Sequence, residues 1–267
     1  MPANDLFLLI EAAREAGTIA LRHWRNRPKV WEKPEGAGPV TEADLAVNAM
    51  LERELAAARP GYGWLSEETE DDPARLSAER TFIVDPIDGT RAFLEGDKTF
   101  AHALAVAEAG RVTAAVVHLP ALNLTFAAAE DGPATLNGEP IAASGTSRTG
   151  GATVLTARWA LSPEHWQGRP PAVRREFRAS MAYRLCLVAQ GRFDAALSLR
   201  PTWEWDIAAG DLIARRAGAA VTDRHGGAIA YNRPEPRAEG ILAAPPGLHA
   251  DLIGRLTPAL RVPDARA

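Results

Sequence analysis

The stretch TFIVD, residues 81–85, runs through threonine, phenylalanine, isoleucine and valine directly into an aspartate. A short run of β-branched and aromatic residues is typical of a buried strand. Such a strand ends where the charge begins, so it delivers Asp85 to the edge of a sheet. Pro86 has a fixed φ and favours extended backbone at Asp85, which stiffens the turn after the strand.

The next residues make this sheet edge a candidate binding site. Asp88 follows Asp85 by three positions, and Ile87 contributes a backbone carbonyl between them. Carboxylate and carbonyl oxygens are the ligands that Mg²⁺ prefers. Gly89 and Thr90 can begin a short helix whose first amides bind an anion. The motif predicts a metal ion beside a phosphate; taken alone, it also fits a turn aspartate followed by a helix cap.

Three further acidic stretches lie where a strand should stop or a helix should start. Glu67 and Glu68 follow the apolar run WLS, Asp206 lies in WEWDIAAG, and Asp44 lies in GPVTEAD. Asp206 and Asp44, each taken alone, also fit a helix N-cap. Acidic side chains that share one pocket repel each other unless cations neutralise them, so together these stretches favour a metal site.

Length, charge and cysteine content exclude several classes of protein. The 267 residues suffice for one large domain or two small ones, and 46% hydrophobic against 24% charged residues is ordinary for a globular chain. The net charge of -4 argues against a nucleic-acid partner, and the single cysteine, Cys186, excludes an internal disulfide. No apolar run reaches the roughly 18 residues of a membrane span. We therefore expect a cytoplasmic protein with neither a membrane nor a nucleic-acid partner.

Periodicity predicts helices and short strands in an irregular order. A helical repeat begins after Asn4, its predicted N-cap, and a second helix is predicted at about residues 43–58. Strand patterns dominate the middle of the chain, with turn signals at Ala109-Gly110 and Asn137-Gly138. Mostly antiparallel strands mixed with helices indicate the α+β class, with layered packing rather than a doubly wound sheet.

A Gly-, Ser- and Thr-rich stretch at residues 144–151 is the best boundary between two halves. We expect a single domain over residues 1–267, with an N-terminal α+β half (about 1–145) and a C-terminal α/β half (about 146–267). The chain has neither a G-x-x-x-x-G-K-[ST] phosphate loop nor a G-x-G-x-x-G motif.

The motifs GPVTEAD, LSEE, VDPIDGT and WDIAAG, in this order, resemble the inositol monophosphatase superfamily. The resemblance extends from about residue 5 to about residue 245. It implies a layered αβαβα sandwich of the inositol monophosphatase and fructose-1,6-bisphosphatase type. It also implies a metal-dependent, lithium-sensitive phosphatase for small phosphorylated substrates, and a homodimer, because dimers are common in the superfamily.

The resemblance assigns the metal ligands. Glu67, Asp85 and the Ile87 carbonyl would hold a first Mg²⁺. Asp85, Asp88 and Asp206 would hold a second, so that Asp85 bridges both ions. A third, weakly held ion would contact Glu67.

The resemblance also assigns the catalytic residues. Gly89 and Thr90 would supply amides that bind the phosphate. Asp44 would accept a hydrogen bond from the Thr90 hydroxyl and, with Glu67, help to draw a proton from the attacking water. Two divalent ions offset the negative charge of a phosphate monoester at the attacking and the leaving oxygen, so no covalent intermediate is needed.

The motifs favour one substrate branch and leave two others open. Inositol monophosphatases usually carry an acidic residue where this chain has Leu199, and an aspartate where it has Gly38. GPVTEAD, RLCLVAQG and RPTWEWD are more similar to the bacterial 3'(2'),5'-bisphosphate nucleotidases. We therefore expect adenosine 3',5'-bisphosphate as substrate, with Arg200 as a candidate cation for its second phosphate. Inositol 1-phosphate and histidinol phosphate remain alternatives, the latter because DPIDGTRAF resembles histidinol-phosphate phosphatases.

Two other functional classes fit the sequence less well. Phosphatases with an aspartyl nucleophile typically need D-x-D, whereas this chain has D-x-x-D. A non-catalytic protein that only binds metal or nucleotide would be expected to have lost a ligand position, and none is lost here.

Overall fold

The computed structural model describes residues 4–34 and 38–257. Within this part of the chain the α-helices are α1 Asp5–His23, α2 Glu42–Ala58, α3 Thr90–Leu94, α4 Met181–Ala189, α5 Glu204–Arg216 and α6 Pro246–Arg255. The strands are β1 Val30–Glu32, β2 Pro39–Thr41, β3 Gly63–Ser66, β4 Arg80–Asp88, β5 Ala101–Glu108, β6 Arg111–Leu119, β7 Leu124–Ala129, β8 Thr135–Leu136, β9 Glu139–Pro140, β10 Thr153–Thr156, β11 Arg174–Glu176, β12 Ala195–Ser198, β13 Thr202–Trp203, β14 Ala220–Thr222, β15 Arg237–Ala238 and β16 Ile241–Ala244.

Two sheets organise these elements. The larger sheet has the order β3-β4-β5-β6-β7-β8-β9, in which β3 and β4 are parallel and the other neighbours are antiparallel. The smaller sheet has the order β11-β10-β12-β16-β14, and β10 is parallel to both of its neighbours. Two-stranded ribbons, β1-β2 and β13-β15, lie beside them.

Helices and sheets alternate in layers. Helices α1 and α2 cover one face of the larger sheet, and α4 and α5 lie between the two sheets. Helix α6 covers the outer face of the smaller sheet. The predicted α+β layered sandwich is therefore confirmed. The hydrophobic cluster between the sheets includes residues from both halves of the chain.

Small side chains let these layers approach closely. Strand β5 buries Ala101, Ala103, Ala105 and Ala107, on which helices can lie flat. A Cβ added at Gly210 of α5 would lie 2.6 Å from Leu185 of α4, so only glycine allows these two helices their present contact. The sequence therefore sets the separation of the layers as well as their order.

Local signals predicted most of the element boundaries. The Asn4 side chain accepts the backbone N–H of Leu6 at the start of α1. Ala109 and Gly110 adopt positive φ in the β5-β6 hairpin, as their turn signal requires. Strands β1, β2, β11, β13 and β15 were not predicted, because two or three residues give no measurable periodicity. No helix in the two described ranges combines the length and apolar character that a membrane span requires.

Candidate active site

The strand that was predicted to end at Asp85 continues to Asp88, through an irregularity in its ladder with β5. Asp85 pairs with Ala103 of β5 and Asp88 pairs with Ala101, so two residues of β4 face one residue of β5 between these pairs. A bulge of this kind bends the strand and re-aims its side chains. Gly89 follows with a φ of 96°, which strongly favours glycine, and is the N-cap of α3. The predicted strand and short helix are thus present, but the prediction that the strand ends at Asp85 is wrong, because the bulge keeps the chain in the ladder as far as Asp88.

Asp44 is positioned by the start of α2. Thr41 and Asp44 form a capping box, in which Asp44 Oδ2 accepts the Thr41 backbone N–H at 2.8 Å. Its second oxygen, Oδ1, lies 3.3 Å from the Thr90 hydroxyl, which also has the Ile87 carbonyl as an acceptor at 3.1 Å. Burial raises the pKa of Asp44 to about 6, against the effect of its hydrogen bonds from Thr41. The structure therefore brings Asp44, Thr90 and Ile87 together.

Asp88 is held by a helix of the other half of the chain. Its Oδ2 accepts hydrogen bonds of 2.7 Å from the Ser180 hydroxyl and from the Ala182 backbone N–H, at the start of α4. Burial raises the pKa of Asp88 to about 6, although these hydrogen bonds oppose the shift. One carboxylate oxygen is thus used for structure, and Oδ1 remains for a ligand.

Asp206 lies in the first turn of α5, next to the same acidic residues. Enclosure by protein raises its pKa well above the usual range, and the negative charges of Asp88 and Glu67 raise it further. Asp85 is 1% exposed and shows the same behaviour, because burial and the charges of Glu67, Asp88, Asp206 and Asp44 all raise its pKa. These carboxylates therefore share one electrostatic environment.

The Asp85 carboxylate has an unsatisfied oxygen. Its Oδ1 is buried without a hydrogen-bond partner among the described residues. Buried polar atoms are normally paired, and a buried carboxylate oxygen among other acids is stabilised by a proton or by a bound cation. Hard oxygen donors of this kind suit Mg²⁺. The residues present therefore fit the predicted metal. Within residues 4–34 and 38–257, no group of three His, Cys, Asp or Glu side chains is already arranged as a complete metal site.

Lys33 supplies a positive charge at this site. Its Nζ lies 2.7 Å from Glu67 Oε1 and 2.7 Å from Glu68 Oε1. Burial opposes the charge on Lys33, but attraction to the two glutamates outweighs it and raises the pKa of the ammonium group. Burial also raises the pKa of Glu68 to about 7. The ammonium group therefore partly neutralises Glu67, one of the predicted metal ligands.

A cleft of about 690 Å³ opens beside these groups. Its lining combines the predicted phosphate-binding residues with basic, acidic and aromatic side chains: Gly38, Pro39, Glu67, Gly89, Thr90, Arg91, Ala92, Glu95, Asp97, Thr99, Phe177, Arg178 and Ala179. Arg91 is exposed in α3, and Phe177 is 48% exposed with the guanidinium of Arg184 at 4.3 Å from its ring centre.

Arg200 lies elsewhere than the cleft lining. Its guanidinium carbon stacks 4.7 Å from the ring centre of Trp159, in the C-terminal half of the chain. The neighbouring Leu199 is 2% exposed and packs in the hydrophobic cluster of the smaller sheet. The predicted role of Arg200 at the second phosphate therefore stays a prediction.

Sequence reasoning missed several residues of the site. Lys33 and Ser180 reach it only through tertiary folding, and no local motif marks them. His102 lies next to it in β5, where its Nδ1 is 2.5 Å from the Pro86 carbonyl oxygen. A histidine in the apolar run FAHALAVAE was a usable signal, because a buried polar group needs a partner.

Comparison with known proteins places these features in one family. The model of the inositol monophosphatase family matches residues 2–260. An inositol-1-monophosphatase of Rhizobium meliloti is 33% identical over 233 residues, which are 83% of this chain and 86% of that protein. A histidinol-phosphatase of Chlorobaculum parvum is 29% identical over 231 residues, 83% of this chain and 86% of that protein.

A solved structure supports the same assignment. The extragenic suppressor protein SuhB of Bartonella henselae superposes with a TM-score of 0.77 at 27% identity, over 92% of this chain and 95% of that one. The fold, the ordered acidic motifs and the family match agree. The chain therefore belongs to the inositol monophosphatase family of phosphatases.

Proposed function

We propose that this phosphatase removes one phosphate from a nucleoside 3',5'-bisphosphate, with adenosine 3',5'-bisphosphate as the expected substrate. One observation carries the proposal: the cleft that contains Gly89 and Thr90 is also lined by Arg91, Arg178 and Phe177. A substrate with a second phosphate and a flat base would use both arginines and the aromatic ring.

The two arginines suit the second phosphate. A guanidinium group binds phosphate oxygens in pairs and stays charged at every relevant pH. Arg178 has a loose ion pair with Glu176, in which Nη1 lies 3.7 Å from Oε2 and both side chains are partly exposed. An ion pair of this kind contributes little, so an incoming phosphate can replace it.

Phe177 suits the base. The Arg184 guanidinium covers part of its ring, yet about half of the residue is exposed at the cleft. Stacking of a base on an aromatic ring is worth about 1–3 kcal/mol. An inositol ring has no flat π face and gains less from this contact. Histidinol phosphate carries an imidazole, so Phe177 also supports that alternative.

The surroundings of Leu199 disfavour inositol 1-phosphate. Inositol monophosphatases usually place an acidic residue there to bind ring hydroxyls. Leu199 is buried in an apolar cluster and has no group that could replace this contact. The proposal therefore differs in substrate from the inositol-1-monophosphatase that the chain is similar to.

The proposed mechanism assigns a task to each residue. Glu67, Asp85, Asp88, Asp206 and the Ile87 carbonyl would hold Mg²⁺. When bound, Mg²⁺ lowers the pKa of water and stabilises the leaving oxygen. Amides of Gly89 and Thr90 would orient the phosphate.

Proton transfer is assigned to the residues beside the phosphate. Thr90 would pass its hydroxyl proton towards Asp44, 3.3 Å away, and so accept a proton from the attacking water. Glu67 would help to orient that water.

A substrate panel tests the assignment. We expect the highest kcat/KM for adenosine 3',5'-bisphosphate, and activity that EDTA abolishes. Higher kcat/KM for inositol 1-phosphate or histidinol phosphate would reject the nucleotidase assignment but retain the phosphatase. No Mg²⁺-dependent hydrolysis of any of the three would reject the proposed reaction on small phosphomonoesters of these classes.

Arginine variants test the second-phosphate contact. Arg178→Ala should lower kcat/KM for adenosine 3',5'-bisphosphate by about ten- to a hundredfold, with little effect on adenosine 3'-monophosphate. Arg200→Ala tests the cation predicted from the sequence with the same pair of substrates. Arg53→Ala, at an exposed ion pair with Glu54 on α2, is the matched control. Equal losses on both substrates would remove Arg178 from this role.

A further inference from the structure

His102 lies behind the loop that contains the proposed metal ligands. It is fully buried in β5, opposite the bulge of β4 where Pro86 and Ile87 have no regular ladder partners. Its Nδ1 is 2.5 Å from the Pro86 carbonyl oxygen. The bulge leaves the Pro86 carbonyl without a partner in the ladder, and the His102 side chain supplies the missing hydrogen bond.

The partner of Nδ1 fixes the tautomer of the ring. A carbonyl oxygen only accepts hydrogen bonds, so Nδ1 must have the hydrogen. In a neutral imidazole Nε2 is then an acceptor, and this atom is buried without a partner among the described residues. The unpaired Nε2 destabilises the folded protein. The stabilising contribution of this histidine therefore lies in the hydrogen bond from its Nδ1 to Pro86.

The Pro86 carbonyl belongs to the peptide that joins Pro86 to Ile87, in the middle of the segment from Asp85 to Asp88. Rotation of this peptide would change the path of the backbone between Asp85 and Asp88, and with it the direction of the Ile87 carbonyl. On the other side, the Ile87 carbonyl oxygen lies 3.1 Å from the Thr90 hydroxyl, whose one hydrogen it shares with Asp44 Oδ1 at 3.3 Å. The backbone between Asp85 and Asp88 is therefore held from two directions, by His102 and by Thr90.

We propose that His102 is a positioning residue for the metal site: through Nδ1–H it holds the Pro86 carbonyl so that the oxygens of Asp85, Ile87 and Asp88 converge. The proposal depends on the metal ligands assigned above, and is independent of the substrate. Groups that orient ligands without touching the metal commonly change metal affinity by about 10- to 100-fold when removed.

His118 offers a matched control in the same sheet. It pairs with His102 across β5 and β6, and the two rings stack with centroids 6.2 Å apart. Its Nδ1 bonds to Thr125 Oγ1 at 2.9 Å, on the far side from Pro86. Substitution of His118 disturbs the packing of the histidine pair while leaving the contact with Pro86 in place.

The experiment measures Mg²⁺ binding to the free protein by calorimetry and by the rise in Tm that Mg²⁺ produces. His102→Leu removes the donor and keeps most of the volume, and should raise the Kd for Mg²⁺ by at least about tenfold. His102→Asn, whose amide can donate to Pro86 from nearly the same place, should stay within about threefold of the natural protein. KM for the substrate at saturating Mg²⁺ should change little in either variant.

Two results would overturn the proposal. One is a His118→Leu variant that weakens Mg²⁺ binding as much as His102→Leu. The other is a His102→Asn variant that is no better than His102→Leu, because packing alone would then explain both. If His102→Leu does not fold, comparison of His102→Asn with His102→Gln decides, since the longer glutamine amide is misplaced for Pro86. Equal Mg²⁺ affinity of these two would reject the role.

Discussion

The Ser180 hydroxyl donates a 2.7 Å hydrogen bond to Asp88 Oδ2 and thereby joins the start of α4 to the end of β4. The two residues lie 92 positions apart in the sequence and in different halves of the chain. The Ala182 backbone N–H donates to the same oxygen. Asp88 is therefore oriented by a helix N-terminus before any metal binds, which limits the rearrangement that binding requires.

Ser180→Ala should weaken Mg²⁺ binding and also destabilise the protein. Ser180 additionally caps α4 by accepting the Tyr183 N–H, so loss of the hydroxyl should cost about 1–2 kcal/mol of unfolding free energy. Thermal unfolding and Mg²⁺ titration measure the two effects. Ser180→Thr retains a hydroxyl and should recover much of both. A Ser180→Ala protein with unchanged Mg²⁺ affinity would show that Asp88 needs no support from α4.

Asp85→Asn should abolish activity and raise the stability of the metal-free protein. The substitution removes a buried charge that the surrounding carboxylates repel, and a gain of about 1 kcal/mol would raise Tm by about 2–4 °C in a chain of this size. Mg²⁺ should then no longer raise Tm. Asp206→Asn should retain some activity with a higher Mg²⁺ requirement. Near-normal turnover of Asp85→Asn at saturating Mg²⁺ would contradict the bridging role.

Thr90→Ala and Asp44→Asn should each lower kcat by about 10²–10⁴-fold, the range of general base catalysis. Because the two side chains are proposed to act as one unit, the double variant should lose little more than either single variant. Steady-state kinetics at saturating Mg²⁺ make the comparison. Fully multiplicative losses would indicate two independent roles.

The stabilising effect of Mg²⁺ should depend on pH. The pKa values of Asp44 and Asp88 are raised to about 6 in the folded protein, so their contribution to stability is present below about pH 4 and is lost as pH rises through 6. Bound Mg²⁺ should offset this loss of stability, because it neutralises the negative charge of the carboxylates. The Mg²⁺-induced rise in Tm should therefore be larger at pH 7.5 than at pH 5.

A difference between two unfolding curves makes this measurement selective. The contribution of His102 to stability has the opposite pH dependence. Burial lowers its pKa to about 3, so this contribution is lost as pH falls below about 6.5. Subtraction of the EDTA curve from the Mg²⁺ curve removes such groups, which do not bind the metal. An equal Mg²⁺-induced rise in Tm at both pH values would contradict a metal site whose carboxylates have raised pKa values.

The elements around the acidic motifs were predictable because each motif encodes its own turn. TFIVD forms a buried strand, Thr41 with Asp44 caps a helix, and Gly89 allows the left-handed turn just before α3. These signals lie within a few residues of the side chains that they position. Local physical chemistry therefore places Asp44 at the start of α2 and Asp88 at the end of β4, whereas Asp85 lies inside β4, just before its bulge.

The supporting contacts were not predictable from local sequence. Lys33 reaches Glu67 over 34 positions, and Ser180 reaches Asp88 over 92. Nothing near either residue indicates its partner, because the contact depends on how whole layers pack. The stacking of Arg200 on Trp159 shows the same limit, since this partner also lies far away in the sequence.

The order in which the layers are synthesised has a consequence for how the chain folds. The last strand of the larger sheet ends at Pro140, whereas the helices that cover its inner face, α4 and α5, end only at Ala189 and Arg216. During translation from the N-terminus, the apolar inner face of this sheet therefore has no covering helices until α4 and α5 have been synthesised. A ribosome that pauses between these points would hold a nascent chain with exposed apolar surface, which favours aggregation.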